Sequence, residues 1–131
     1  MYHPACVGVH DLAIAAVTAG NEIGVDLEKV RARPAAERLA KRFYASGERA
    51  ALEAAPTDQK ERLFLRLWTR KESHLKATGT GLSVTLRDID TLAPDVPWWY
   101  HEFEPAPDYV ATIAGSGEPP SFTYFDLTLP T

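Results

Sequence analysis

The chain predicts an α+β fold, with an antiparallel sheet and helices packed on one face. Three observations carry this. Apolar residues alternate with period two early in the chain, recur at helical spacing through the middle, and return to short β-like runs at the end. Its 131 residues suit one domain, spanning 1–131. Of its ten prolines, seven fall at or after Pro94, so the C-terminal third reads as short strands and turns.

Residues 12–18 (LAIAAVT) form a short apolar run, read as a buried strand. Ala19, Gly20 and Asn21 give a turn signal. Residues 23–28 alternate Ile23, Val25 and Leu27 with Gly24, Asp26 and Glu28, a strand with one apolar and one acidic face. The two runs are expected to pair as a hairpin. Pro34 opens a helix in which Ala36, Leu39, Ala40 and Phe43 make the apolar stripe. Ser46 suits the N-cap of a second helix over 47–55, with Glu48 in its first turn. A third helix is expected over 58–77, with Leu63, Phe64, Leu67, Trp68 and Leu75 as core residues and Gly79 and Gly81 ending it. Strands are then expected over 82–89, 98–103, 109–113 and 122–127, the middle two paired.

Composition narrows the function. Hydrophobic content is 45%, charged content 24% and net charge −4, which argues for a globular domain and against a general nucleic-acid binder. Cys6 is the only cysteine, so there is no internal disulfide and no CxxC metal site, and a reducing cytoplasm fits. No apolar run approaches the roughly 20 residues of a membrane span. The N-terminal MYHPACVGVHDLAIAAV has no basic start and is interrupted by His10 and Asp11, unlike a signal peptide.

Two constellations carry chemistry. Asp26 and Glu28 lie two residues apart on a strand, so both carboxylates project from one face. Two anions that close repel unless a cation lies between them, and hard oxygen ligands suit Mg²⁺ or Mn²⁺. A D-x-E pair is more often the polar face of an edge strand. Glu72 and Lys76 lie one helical turn apart. Such pairs are usually surface ion pairs worth about 0.2–0.5 kcal/mol. Here Trp68 shares their face and Lys71 adds a second cation, so a metal-binding carboxylate beside a phosphate-binding lysine is the alternative. The ATGTGL segment from Ala77 to Leu82 reads either as a helix cap or as backbone close to a diphosphate. Trp98, Trp99 and Tyr100 read as half-core strand packing or a stacking platform. The basic stretch from Lys29 through Arg31, Arg33, Arg38, Lys41 and Arg42 reads as a solvated face or a site for phosphate or an acidic partner.

Together, IGVDLEKV, RFYASGE and LWTRKESHLKATGTGLS resemble the 4′-phosphopantetheinyl transferases of the Sfp-type class, over roughly Leu12 to Asp90. The family pattern is (I/V)G(I/V)D-x-E followed by W-(S/T)-x-K-E-(A/S)-x-x-K. The resemblance implies a 4′-phosphopantetheinyl transferase-like half. It implies Mg²⁺-dependent transfer of the 4′-phosphopantetheine arm of coenzyme A to a serine of an acyl, polyketide or peptidyl carrier protein, releasing 3′,5′-ADP. It puts metal ligands at Asp26, Glu28 and Glu72 and catalytic roles at Glu72 and Lys76. Contacts to coenzyme A fall on Lys71, Lys76, Gly79 and His10.

Two departures qualify it. The family's Ser-His-Ser-like motif is here VGVHDLA, with His10 near the expected place but flanked by Val9 and Asp11. His3 fits less well by spacing. The chain also matches only the second of two similar halves, while its length resembles the short holo-acyl-carrier-protein synthases. A complete site is therefore expected to need a homo-oligomer or a complementary half. The alternatives are a non-catalytic module of the same ancestry that binds coenzyme A or a carrier protein, and an interaction domain whose charges only solvate its surface.

Overall fold

The structure, a computed structural model, describes residues 3–9, 11–79, 85–94 and 97–127. Its strands are β1 (His3–Val9), β2 (Leu12–Thr18), β3 (Ile23–Lys29), β4 (Trp98–Phe103) and β5 (Tyr109–Ser116), and its helices α1 (Ala36–Phe43), α2 (Ser46–Ala54) and α3 (Lys60–Thr78). All strand pairs are antiparallel, as the fold class requires.

The expected hairpin of β2 with β3 does not form. β2 pairs with β1, from His3↔Thr18 to Val9↔Leu12. β3 joins a separate three-stranded sheet in the order β3-β5-β4. The reason lies in what β3 must bury. Gly24, Val25, Asp26 and Leu27 are all buried, so both faces of the strand need cover. α3 covers one face. The β1–β2 hairpin covers the other, where Val7, Val9, Leu12 and Ile14 pack against Leu27, Tyr109 and Ala111.

Cross-strand pairing sorts the side chains. Asp26, Thr112 and Glu102 form one row across the sheet and face α3. Thr69 on α3 meets Thr112 at 2.8 Å, and Arg66 and Arg70 both engage Glu102. The main core lies where α1 and α3 meet the sheet, around Ala40, Tyr44, Phe64, Leu65, Leu67 and Val110. Tyr44 stacks on Phe64 at 5.3 Å, and its hydroxyl donates to the Phe64 carbonyl at 2.6 Å. Leu63 and Trp68 pack against this core half-buried, and Leu75 is half-buried also.

Three further expectations shift. α2 begins at Ser46 with Ala45 as its N-cap rather than Ser46, and Glu48 Oε1 reaches back to accept the Ala45 N–H at 2.9 Å. In the segment read as a strand over 82–89, residues 82–84 lie outside the described residues and Leu86–Asp88 is a 3₁₀ turn. Residues 122–127 are irregular rather than a strand. Phe122 stacks instead on His101 with ring centroids 3.8 Å apart, so stacking takes the place of ladder hydrogen bonds.

Candidate active site

The site is assembled where β3 runs beneath α3. Gly24 sets the separation. A Cβ at that position would lie 2.1 Å from the Ser73 carbonyl oxygen and 2.6 Å from the Ala77 nitrogen, so only glycine lets strand and helix approach this closely. Two residues onward, Asp26 projects on the same face and is 6% exposed. Its Oδ1 accepts from Lys76 Nζ at 2.9 Å, and Lys76 also donates to the Val25 carbonyl at 3.2 Å. Asp26 Oδ2 is buried and has no hydrogen-bond partner among the described residues. Burial pushes the Asp26 carboxyl up to about 6, against the opposing pull of Lys76 and with added repulsion from Glu28 and Glu72.

Glu28 Oε2 accepts from Arg33 Nη2 at 2.9 Å. Burial also raises the Glu28 carboxyl, while Arg33 and Arg31 pull it down and Glu72 pushes it up. Glu72 thus lies near enough to both strand carboxylates to repel them. It has no ion-pair or hydrogen-bond partner of its own among the described residues. The three carboxylates are neighbours, but they do not meet at a point: among the described residues, no group of three or more His, Cys, Asp or Glu side chains forms a ready metal cage. Lys76 and Arg33 instead pair one strand carboxylate each, both at 2.9 Å.

The donor set nonetheless suits a hard divalent cation. It offers carboxylate oxygens only, one of them buried with an unused lone pair, and carboxylates raised first by burial and further by mutual repulsion gain from added positive charge. Asp26, Glu28 and Glu72 are the residues that would hold it.

Lys71, expected to contact coenzyme A, lies instead in a buried ion pair. It is fully buried and projects away from Glu72, as successive helical residues do. Its Nζ pairs with Glu48 Oε1 at 2.6 Å and donates to the Leu86 and Ile89 carbonyls at 2.7 and 2.5 Å. Those three acceptors use all three ammonium protons, leaving none for a phosphate. Glu48 is saturated in turn, its Oε2 accepting from the Thr91 hydroxyl at 2.6 Å and the Thr91 N–H at 3.2 Å. Gly79 caps α3 in the left-handed conformation, φ 68°, with its N–H bonded to Leu75 O at 2.9 Å. His10 and Gly81 lie outside the described residues.

Sequence reasoning missed Arg33 as the partner of Glu28 and Glu48 as the partner of Lys71. Arg33 stood inside the basic stretch, but nothing in its spacing named a particular carboxylate. Glu48 at a helix start reads as a dipole-favoured surface acid.

Comparison with known proteins supplies the family. Residues 22–114 match the model described as the 4′-phosphopantetheinyl transferase superfamily. The chain is 38% identical over 126 residues to the 4′-phosphopantetheinyl transferase HetI of Nostoc sp., covering 88% of this chain and 53% of that protein. It is 41% identical over 64 residues to the 4′-phosphopantetheinyl transferase Sfp of Bacillus subtilis, covering 49% of this chain and 28% of that one. The chain therefore spans about half of HetI and less of Sfp. The crystal structure of Thermotoga maritima holo-[acyl-carrier-protein] synthase superposes with a TM-score of 0.55 at 18% identity, covering 71% of this chain and 61% of that one, a likeness of fold. With its matched region enclosing β3, α3 and the four candidate residues on them, the chain belongs to the 4′-phosphopantetheinyl transferase superfamily.

Proposed function

We propose that this chain transfers the 4′-phosphopantetheine arm of coenzyme A to a serine of an acyl, polyketide or peptidyl carrier protein, with Mg²⁺ or Mn²⁺, in an assembly with a second copy or a complementary half. The observation that carries this is the facing arrangement of Asp26 and Glu28 with Glu72 and Lys76, in which Asp26 Oδ2 is buried and unpartnered among the described residues. A bound divalent cation would neutralise the coenzyme A diphosphate there. Lys76, 42% exposed at its side chain, can swing from Asp26 to a diphosphate oxygen and offset charge developing as the bond to 3′,5′-ADP breaks. Glu72, with no cation of its own among the described residues, is the base that takes the serine proton as the serine oxygen attacks phosphorus. A cytoplasmic setting goes with this reading, since coenzyme A and apo carrier proteins occur there. Among the described residues, no helix is long and apolar enough to cross a membrane.

The test is to incubate the chain with coenzyme A, Mg²⁺ and apo carrier proteins of several types and to weigh the carriers. A gain of the phosphopantetheine mass, abolished by Glu72→Gln and by Lys76→Ala without loss of fold, is expected. No gain on any carrier refutes the transferase reading. Calorimetric binding of coenzyme A without transfer would favour a non-catalytic module of the same ancestry, the reading that the unconverged carboxylates and the half-length match support next.

A further inference from the structure

Each strand carboxylate in the site already carries a cation from this chain, and the helix carboxylate does not. Lys76 Nζ lies 2.9 Å from Asp26 Oδ1. Arg33 Nη2 lies 2.9 Å from Glu28 Oε2. Glu72 has no such partner among the described residues. Neither pair is locked in place. The Lys76 side chain is 42% exposed and that of Arg33 28%, while the acids they hold are 9% and 20% exposed. Lys76 can therefore leave toward solvent while Asp26 stays buried, and Arg33 and Glu28 are half-buried to similar degrees.

We propose that Lys76 and Arg33 are resident counter-cations, which an incoming divalent cation must displace from Asp26 and Glu28. The inference rests on the metal reading above and adds a role for Arg33, which that reading does not use. Two unsatisfied atoms support it. Asp26 Oδ2 is buried without a partner while Oδ1 is held by Lys76, so the ammonium neutralises the carboxylate and leaves half its acceptor capacity unused. Arg33 Nε is likewise buried without a partner, so the guanidinium meets Glu28 through a single nitrogen rather than the two-nitrogen fork that would bind it most firmly. Both contacts suit charges that must be held in place without being held tightly. A monovalent ammonium or guanidinium satisfies one carboxylate each. A divalent ion can bridge carboxylates and relieve the repulsion among all three, so the exchange has a driving force.

A consequence opposes ordinary intuition about site residues: removing a basic side chain from the site should improve metal binding. Displacement also frees Lys76 as the metal arrives, which couples metal occupancy to the availability of a cation for the diphosphate.

The experiment uses the full chain and Mn²⁺ alone, without coenzyme A, at pH 8, with free Mn²⁺ followed by electron paramagnetic resonance. Lys76→Gln and Arg33→Gln should each bind Mn²⁺ roughly tenfold more tightly than the parent chain, since each loses one charge-assisted competitor. Equal or weaker binding by either variant overturns the proposal. Glu72→Gln, which removes a carboxylate without its own cation, should weaken binding. If Mn²⁺ binding is unaffected by both Glu72→Gln and Asp26→Asn, the metal reading fails and this inference falls with it. If the parent binds Mn²⁺ through these acids but the two base variants do not tighten it, the metal reading stands and only the exchange fails. A second readout is the acylation rate of Lys76 in the parent chain, followed by peptide mass mapping. Saturating Mg²⁺ should raise it several-fold, and an unchanged rate overturns the exchange.

Discussion

Gly24 illustrates how much of the site depends on a single missing atom. A methyl group there would press on both the Ser73 carbonyl oxygen and the Ala77 nitrogen, so Gly24→Ala must push β3 and α3 apart. The expected loss is about 1–3 kcal/mol or more in urea denaturation, as for overpacking generally. Asp26 should behave in the opposite sense. Its folded-state carboxyl titrates near 6 against 3.8 for the free group. The stabilisation that comes from holding the proton is complete below about 3.8 and is lost as pH rises through about 6. At pH 8 the charged, buried Asp26 therefore costs stability. Asp26→Asn should raise the unfolding free energy there by on the order of 1–3 kcal/mol, with the difference fading by about pH 4. Chemical denaturation at the two pH values checks this. A variant that is more stable and inactive would mark Asp26 as kept for its chemistry.

At the scale of elements, the Glu48–Lys71 pair joins α2 to α3, and both side chains are 0% exposed. Lys71→Met leaves an unpaired buried carboxylate and should cost about 3–5 kcal/mol, whereas Glu48→Gln with Lys71→Met together should recover most of that, as double-mutant thermodynamics can measure. Such partnerships also mark how far the sequence could be read. β3 and α3 were legible because a period-two run and a helical run each state which side chains share a face, and the four candidate residues fell on those faces. What they faced was not legible. Helical spacing gave the direction of Lys71 but not Glu48 at its end, and a run of arginines did not say which one would reach Glu28. β1 went unread because Pro4, Cys6 and Gly8 alternate with Ala5, Val7 and Val9 too weakly to resemble a strand. The local turn at Ala19–Asn21 suggested a hairpin, yet the partner of β3 was settled far along the chain by β5. Residues 122–127 read as a strand from their aromatic content, but backbone pairing depends on a neighbour the composition does not specify, and Phe122 packs on His101 of β4 instead.

For the molecule as a whole, length is the open dimension. The chain covers 53% of HetI, and the proposed coenzyme A site would take its second wall from another subunit or half. Light scattering should return a dimer or trimer at micromolar concentration, and a strict monomer would argue against a site shared between copies. The fully buried Glu48–Lys71 tie has a last consequence at this scale. It fixes the rotational phase of α3 about its own axis from the side of the helix turned away from the chemistry. Because Lys71 and Glu72 are adjacent, one residue inserted between them would turn everything beyond it by about 100° against the anchor. Glu72 and Lys76 would then swing off the strand although every candidate site residue was still present. The chain thus carries its candidate site as an angle as well as a set of side chains, and that angle is set by a pair buried away from it.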